Sequence, residues 1–219
     1  IKKFKKEKKI FNDDFSNNIK KELSYDLTND QTNALNEINK DLKSEEKMFR
    51  LLQGDVGSGK TIVALISCLN VVNSGYQVAF IATTEILAHQ HYKLDQSLIK
   101  DKMKIGFLTS KTDYSERKKI INDLETRKID ILFGTHSVFQ EKISYKKLGL
   151  VVIDEQHKFG VNQRKKLSDK GGKNCDVLVM SATPIPRTLI MTVFGDMDVT
   201  IITQKPKHRK PVKTYSKVD

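Results

Sequence analysis

Only two cysteines occur in the 219 residues, and the longest apolar run, around 62–72, falls short of a bilayer span. Cys68 and Cys175 each sit inside an apolar stretch, without paired spacing. They offer neither a disulfide framework nor a metal site, and they suit a reducing compartment. The Lys-rich start is not followed by an apolar segment, so a signal peptide is not expected. Proline is sparse, and Pro206 and Pro211 fall near the end, where a linker is expected. Repeats and low-complexity tracts are lacking. The first residue is Ile1 rather than Met, so a piece of a longer protein is expected. The length suits one sizeable domain with extensions.

Charge is present in excess and is unevenly placed. The net charge is +12. "IKKFKKEKKI" contributes +5 and "KPKHRKPVK", Lys205 to Lys213, another +5. The remainder holds 28 basic and 26 acidic residues, close to balance. Basic ends attract nucleic acid phosphates, or else they are solvated tails and interdomain linkers.

Between the ends, short β-branched runs alternate with helical patterns. Strands are expected at 48–53, 77–83, 103–109, 130–134, 148–154 and 176–182. Helices are expected near 60–73, 85–98, 114–127, 160–168 and 186–193. Ala34, Leu35, Ile38 and Leu42 add an earlier helix by their spacing. Strands that read as continuous apolar runs, separated by helices, indicate a doubly wound α/β domain with helices on both faces of a parallel sheet. Residues 1–25 are expected to be a basic connector, 26–204 the domain and 205–219 a linker.

"GDVGSGKT", Gly54 to Thr61, matches the phosphate-loop pattern G-x-x-x-x-G-K-[ST] between an expected strand and an expected helix. Gly54, Asp55, Val56, Gly57, Ser58 and Gly59 would wrap the phosphates with backbone N–H groups. The helix N-terminus adds positive potential. Lys60 would bind the β- and γ-phosphates of ATP, and Thr61 would ligate Mg²⁺.

"LGLVVIDEQH", Leu148 to His157, runs a buried strand into two carboxylates. Adjacent like charges repel, and desolvation adds to the cost. A divalent cation offsets both. Asp154 is therefore expected to hold Mg²⁺ at the strand end. Glu155 would orient and deprotonate the attacking water. Gln156 and His157 would relay phosphate state to "SAT", Ser181, Ala182 and Thr183, at the end of the next strand. Alternatively, His157 fills a polar pocket.

These motifs, in this order, resemble those of superfamily 2 helicases. "TEILAHQH" (84–91), "GTHSVFQ" (134–140), "VVIDEQHKFGVNQR" (151–164) and "MSATPIPRTLIMTVFGDMDV" (180–199) are similar to the RecG family of branch-migration DNA helicases. The resemblance covers about residues 26 to 212. It implies a RecA-like P-loop NTPase lobe of an ATP-dependent motor that remodels branched double-stranded DNA such as stalled forks and Holliday junctions. It also implies a cytoplasmic, bacterial, nucleoid-associated protein and a monomer. A wedge domain upstream, and a second lobe downstream with motifs IV to VI and an arginine finger, are implied elsewhere in cis. Both basic ends would then be connectors. Catalytic roles are implied for Lys60, Asp154, Glu155 and His157. Thr84, Gln90, Thr135 and His136 would face DNA, although Thr84 also suits a helix N-cap. Gln31 in "LTNDQ" would hold adenine, although Thr28 and Gln31 also fit a capping box. Lys158, Thr83 and Lys207-His208 depart from the family's usual residues, away from the phosphate loop.

Three functions remain open on sequence. The first is an ATP-binding lobe that hydrolyses slowly alone. The second is a nucleic-acid-binding module with a little-used nucleotide site. The third is a lobe of a related superfamily 2 enzyme: a translocase such as the transcription-repair coupling factor, whose motif II reads Glu-Gln where this chain has Gln156-His157, or an RNA helicase, which shares the core motifs but is disfavoured by "DEQHKFGVNQR" and "SATPIPRTL".

Overall fold

The computed structural model describes residues 5–9, 23, 25–99, 103–140, 143–154, 174–183 and 197–206. The first helix among the described residues, α1 (Asn29–Lys43), opens on a full capping box: Thr28 accepts from the Gln31 backbone, and the Gln31 side chain accepts from the Thr28 backbone. Its buried residues include Ala34, Leu35, Ile38 and Leu42, as the spacing predicts.

The chain then alternates β1 (Phe49–Gly54), α2 (Lys60–Asn73), β2 (Gln77–Ile81), α3 (Glu85–Ile99), β3 (Ile105–Leu108), α4 (Tyr114–Glu125) and β4 (Ile131–Gly134). A 3₁₀ turn (His136–Phe139) leads on to β5 (Leu148–Asp154), β6 (Asp176–Ser181) and β7 (Asp198–Ile202). The expected helices at 160–168 and 186–193 lie outside the described residues.

All seven strands join one sheet in the order β3-β4-β2-β5-β6-β1-β7, and every pairing is parallel. Strands β2, β4, β5 and β6 are buried along their whole length. That is the signature of a sheet covered on both faces. Alternate residues divide between two cores. Leu52, Phe80, Leu150, Val152 and Met180 pack with α1 and α2. Leu51, Ile81, Val151, Ile153 and Val179 pack with Ile120 and Leu124 of α4. Strand β7 adds an edge strand that was not expected from sequence.

The basic start is not a solvated tail throughout. Lys6 and Lys9 are buried at the N-terminal ends of the strands, 6% and 2% exposed. Lys6 Nζ lies 2.7 Å from Asp176 Oδ1 and Lys9 Nζ 2.5 Å from Asp176 Oδ2. Lys6 also donates to the Asp41 carbonyl, and Lys9 to that of Gly149. The same carboxylate accepts from the Met48 backbone N–H. Burial pulls the Lys6 ammonium below its ordinary value, against the raising effect of Asp176. Reading this stretch as solvated is therefore corrected for these two lysines. A carboxylate opening a buried strand required partners, and Lys6 and Lys9 supply them.

Candidate nucleotide-binding site

Strand β1 ends at Gly54, and the loop turns into α2 through two left-handed glycines, Gly57 at φ 77° and Gly59 at φ 90°. Only residues without a Cβ reach this conformation cheaply. Gly54 has a second constraint: a Cβ there would lie 2.7 Å from the Ile202 carbonyl oxygen. Gly59 is the N-cap of α2 and makes no side-chain cap bond. No N-cap side chain therefore competes for the N–H groups of the first turn, where the helix N-terminus brings positive potential. Lys60 opens the helix, and its Nζ donates to the carbonyls of Gly54 (2.6 Å) and Asp55 (3.0 Å). The ammonium therefore lies across the loop that the motif assigns to phosphates. Asp55, Val56 and Gly57 are exposed, Thr61 is half-buried, and Ser58 is buried. Ser58 Oγ has no hydrogen-bond partner among the described residues.

Gln31 does two things at once. Besides completing the capping box, its Nε2 donates to the Ser58 carbonyl at 2.7 Å. It therefore braces the phosphate loop from α1. A cavity of about 500 Å³ opens beside it, lined by Tyr25, Gln31, Gly57, Gly59, Lys60, Thr61, Ile62 and Pro206. Tyr25 and Pro206 were not expected in the site. Asp30 Oδ2 accepts from Thr203 N (2.9 Å), Thr203 Oγ1 (2.7 Å) and Gln204 N (2.9 Å), which ties the segment before Pro206 to α1.

Strand β6 lies between β1 and β5, so Gly54, Ser181 and Asp154 end neighbouring strands at the carboxyl edge of the sheet. Open α/β sheets bind their ligands there. Asp154 follows Leu150 and Val152 in the alternation, which puts it on the face covered by α2 and α3. It is 7% exposed, and its Oδ2 is 2.7 Å from His91 Nε2. His91 was not expected in the site. Its signal in the sequence was weak: it shares the inward face of α3 with Ala88, and a buried histidine needs a polar partner. Ser181 Oγ bonds within its own turn, to Thr183 Oγ1 (3.0 Å) and from Thr183 N (3.2 Å). Ala182 between them is half-buried. Glu155, Gln156 and His157 lie outside the described residues.

Thr84, Gln90 and His136 are exposed and Thr135 is half-buried. They follow the ends of the paired strands β2 and β4. Thr84 Oγ1 accepts from Leu87 N at 3.2 Å, so the N-cap expected of it is present.

The family model of the DEAD/DEAH box helicases matches residues 28–192. The chain belongs to the DEAD/DEAH box helicase family. Helicases of this family use a nucleotide, and the α/β P-loop fold described above is their RecA-like type. The ATP-dependent DNA helicase RecG of Aquifex aeolicus is 48% identical over 216 residues, 98% of this chain and 27% of the relative. RecG of Bacillus subtilis is 50% identical over 196 residues, covering 89% and 29%. The chain thus spans little more than a quarter of the length of these curated relatives. A solved structure of RecG bound to a three-way DNA junction superposes with a TM-score of 0.82 at 42% identity, over 94% of this chain and 27% of that one. The DEAD-box helicase Mss116, bound to single-stranded RNA and UDP-BeF, shares the fold at a TM-score of 0.67 and 19% identity, over 86% of this chain and 42% of that one.

Proposed function

We propose that this chain is the ATP- and Mg²⁺-binding lobe of a RecG-like ATP-dependent DNA translocase acting on branched double-stranded DNA. One observation carries the proposal. An intact phosphate loop and a strand-end carboxylate lie at the same edge of one sheet, one strand apart, in a chain that is 48% identical to RecG over 98% of its own length. The residues also suit the magnesium ion. Magnesium takes oxygen ligands and is held by one or two carboxylates plus substrate phosphates rather than by an all-protein cage. Thr61 and Asp154 provide a hydroxyl and a carboxylate for it. When bound, the ion neutralises charge developing on the transferred phosphoryl group.

The chain's own residues do the rest. Lys60 exchanges the carbonyls of Gly54 and Asp55 for the β- and γ-phosphates. Loop N–H groups hold the phosphate oxygens in place of water. Adenine enters the cavity beside Tyr25, and Gln31 offers it the second hydrogen of its side-chain amide, the first being bound to Ser58. Glu155 takes the proton of the attacking water. Gln156 and His157 relay the phosphate state to Ser181, Ala182 and Thr183. Thr84, Gln90, Thr135 and His136 contact DNA phosphates, with the wedge domain and second lobe in cis.

The test is a melting curve with and without Mg²⁺-ADP. At a hundred times Kd, binding adds about 2.7 kcal/mol of stability. Lys60→Ala is expected to abolish the shift. An unchanged shift in Lys60→Ala would favour a nucleic-acid-binding module whose nucleotide site is unused.

A further inference from the structure

We infer that His91 is the positioning residue that aims Asp154 at the magnesium ion. This inference rests on the proposed nucleotide site. Three observations carry it. First, His91 Nε2 lies 2.7 Å from Asp154 Oδ2, and both side chains are nearly buried, 8% and 10% exposed. Second, the ring is fixed from behind, its centroid 4.8 Å from that of Phe80 on β2. Phe80 is itself stacked on Phe133 of β4, with centroids 5.2 Å apart. Third, the alternation along β5 brings Asp154 out on the same face as Phe80, so α3 can reach it without distorting the strand.

A carboxylate at a strand end rotates freely about its last bond unless something holds one oxygen. His91 donates to Oδ2 and fixes the plane, leaving Oδ1 to take the cation. Packing alone does not account for the choice of residue. A Met or Leu would fill the space over Phe80 without adding a polar nitrogen to a buried wall. A histidine there is satisfied only because a carboxylate meets it. Ligating carboxylates commonly depend on such outer hydrogen bonds, and removing one typically weakens metal affinity about 10- to 100-fold.

The experiment measures ADP affinity of the 219-residue chain by calorimetry, in Mg²⁺ and in EDTA, for the wild type, His91→Met and His91→Gln. Methionine and glutamine are close in shape, and only glutamine keeps a donor at the end of the chain. His91→Met is expected to weaken binding in Mg²⁺ by about 10- to 100-fold, with affinity in EDTA unchanged. His91→Gln is expected to restore the Mg²⁺-dependent gain. If His91→Met melts far below the wild type, His91→Phe, which keeps a ring on Phe80, replaces it as the donor-free variant. A full Mg²⁺-dependent gain in the donor-free variant overturns the inference. So does an equal loss in His91→Gln, which would make the role one of packing. A wild-type chain that binds ADP equally well with and without Mg²⁺ removes the metal site itself, and that failure is visible before any variant is compared.

Discussion

Asp176 holds two ammonium groups and a backbone amide on one carboxylate, all inside the protein. Buried charges of this kind are costly to separate, because removing one partner strands the others in a low dielectric. Asp176→Asn keeps the shape and removes the charge. It is expected to destabilise the chain by about 3–5 kcal/mol, read as a lower urea midpoint at unchanged slope. Replacing Lys6, Lys9 and Asp176 together by Met, Met and Leu removes all three charges, and it should recover most of the loss. A single Asp176→Asn variant as stable as the wild type would mean that the lysines leave the site at little cost. The contrast with Lys60 shows what is legible in a sequence at the scale of a residue. Lys60 is singled out by a local motif, because the phosphate-loop pattern sets its glycines, lysine and hydroxyl within eight positions. Asp176 was visible only as an odd charge at the head of an apolar strand. Its partners stand 170 and 167 positions away, in a stretch whose composition suggested solvent. His91 is of the second kind, since Asp154 is 63 positions from it.

Elements were legible to the degree that burial made them uniform. Strand β5 falls at 148–154 as expected, and β1, β2, β3, β4 and β6 differ from expectation by at most two residues at an end. Each of β2, β4, β5 and β6 is wholly buried, so an apolar run defines it. Strand β7 escaped because it is an edge strand without an apolar run. Asp198, Val199 and Thr200 alternate polar with apolar, and Ile201 is exposed. Side-chain bonds to α1 and β1 hold that edge in place. Arg50 on β1 reaches Glu37 (2.9 Å), Asp41 (2.8 Å) and Thr200 (2.7 Å), and Asp30 takes the three donors from Thr203 and Gln204. The bonds from Gln204 and Thr203 hold the Asp30 carboxyl below its ordinary value of 3.8. Its contribution is complete above 3.8 and is lost as pH falls through the lower folded value. The amide resonances of Thr203 and Gln204 are therefore expected to titrate together with a midpoint below 3.8, and not to titrate in Asp30→Asn. A midpoint at or above 3.8 would mean that these bonds do not hold the joint in solution.

At the scale of the whole molecule, the site presents one side only. Phosphate loop, Asp154 and the cavity beside Gln31 belong to the carboxyl edge of a single sheet, with Pro206 also lining that cavity. Phosphoryl transfer in P-loop motors is completed by a cation that enters when a second unit closes on the nucleotide, and that cation contributes about 10³ to 10⁵ in rate. The 219 residues span 27% to 29% of the curated relatives, and on the proposed function the closing unit is another RecA-like lobe. Binding and turnover should therefore separate. The chain by itself is expected to bind Mg²⁺-ADP yet hydrolyse ATP slowly, with little response to a three-way DNA junction. Joined through the segment beyond Pro206 to a RecG second lobe, it should gain about 10³ to 10⁵ in kcat, and the gain should vanish in Lys60→Ala. Steady-state phosphate release with and without the junction measures this. Rapid junction-stimulated turnover by the chain alone would overturn it, because the cation would then have to come from within these residues. The +12 net charge does not argue for that outcome. Its excess lies at the two ends, and two of the N-terminal lysines are committed to Asp176, on the far edge of the sheet from the phosphate loop.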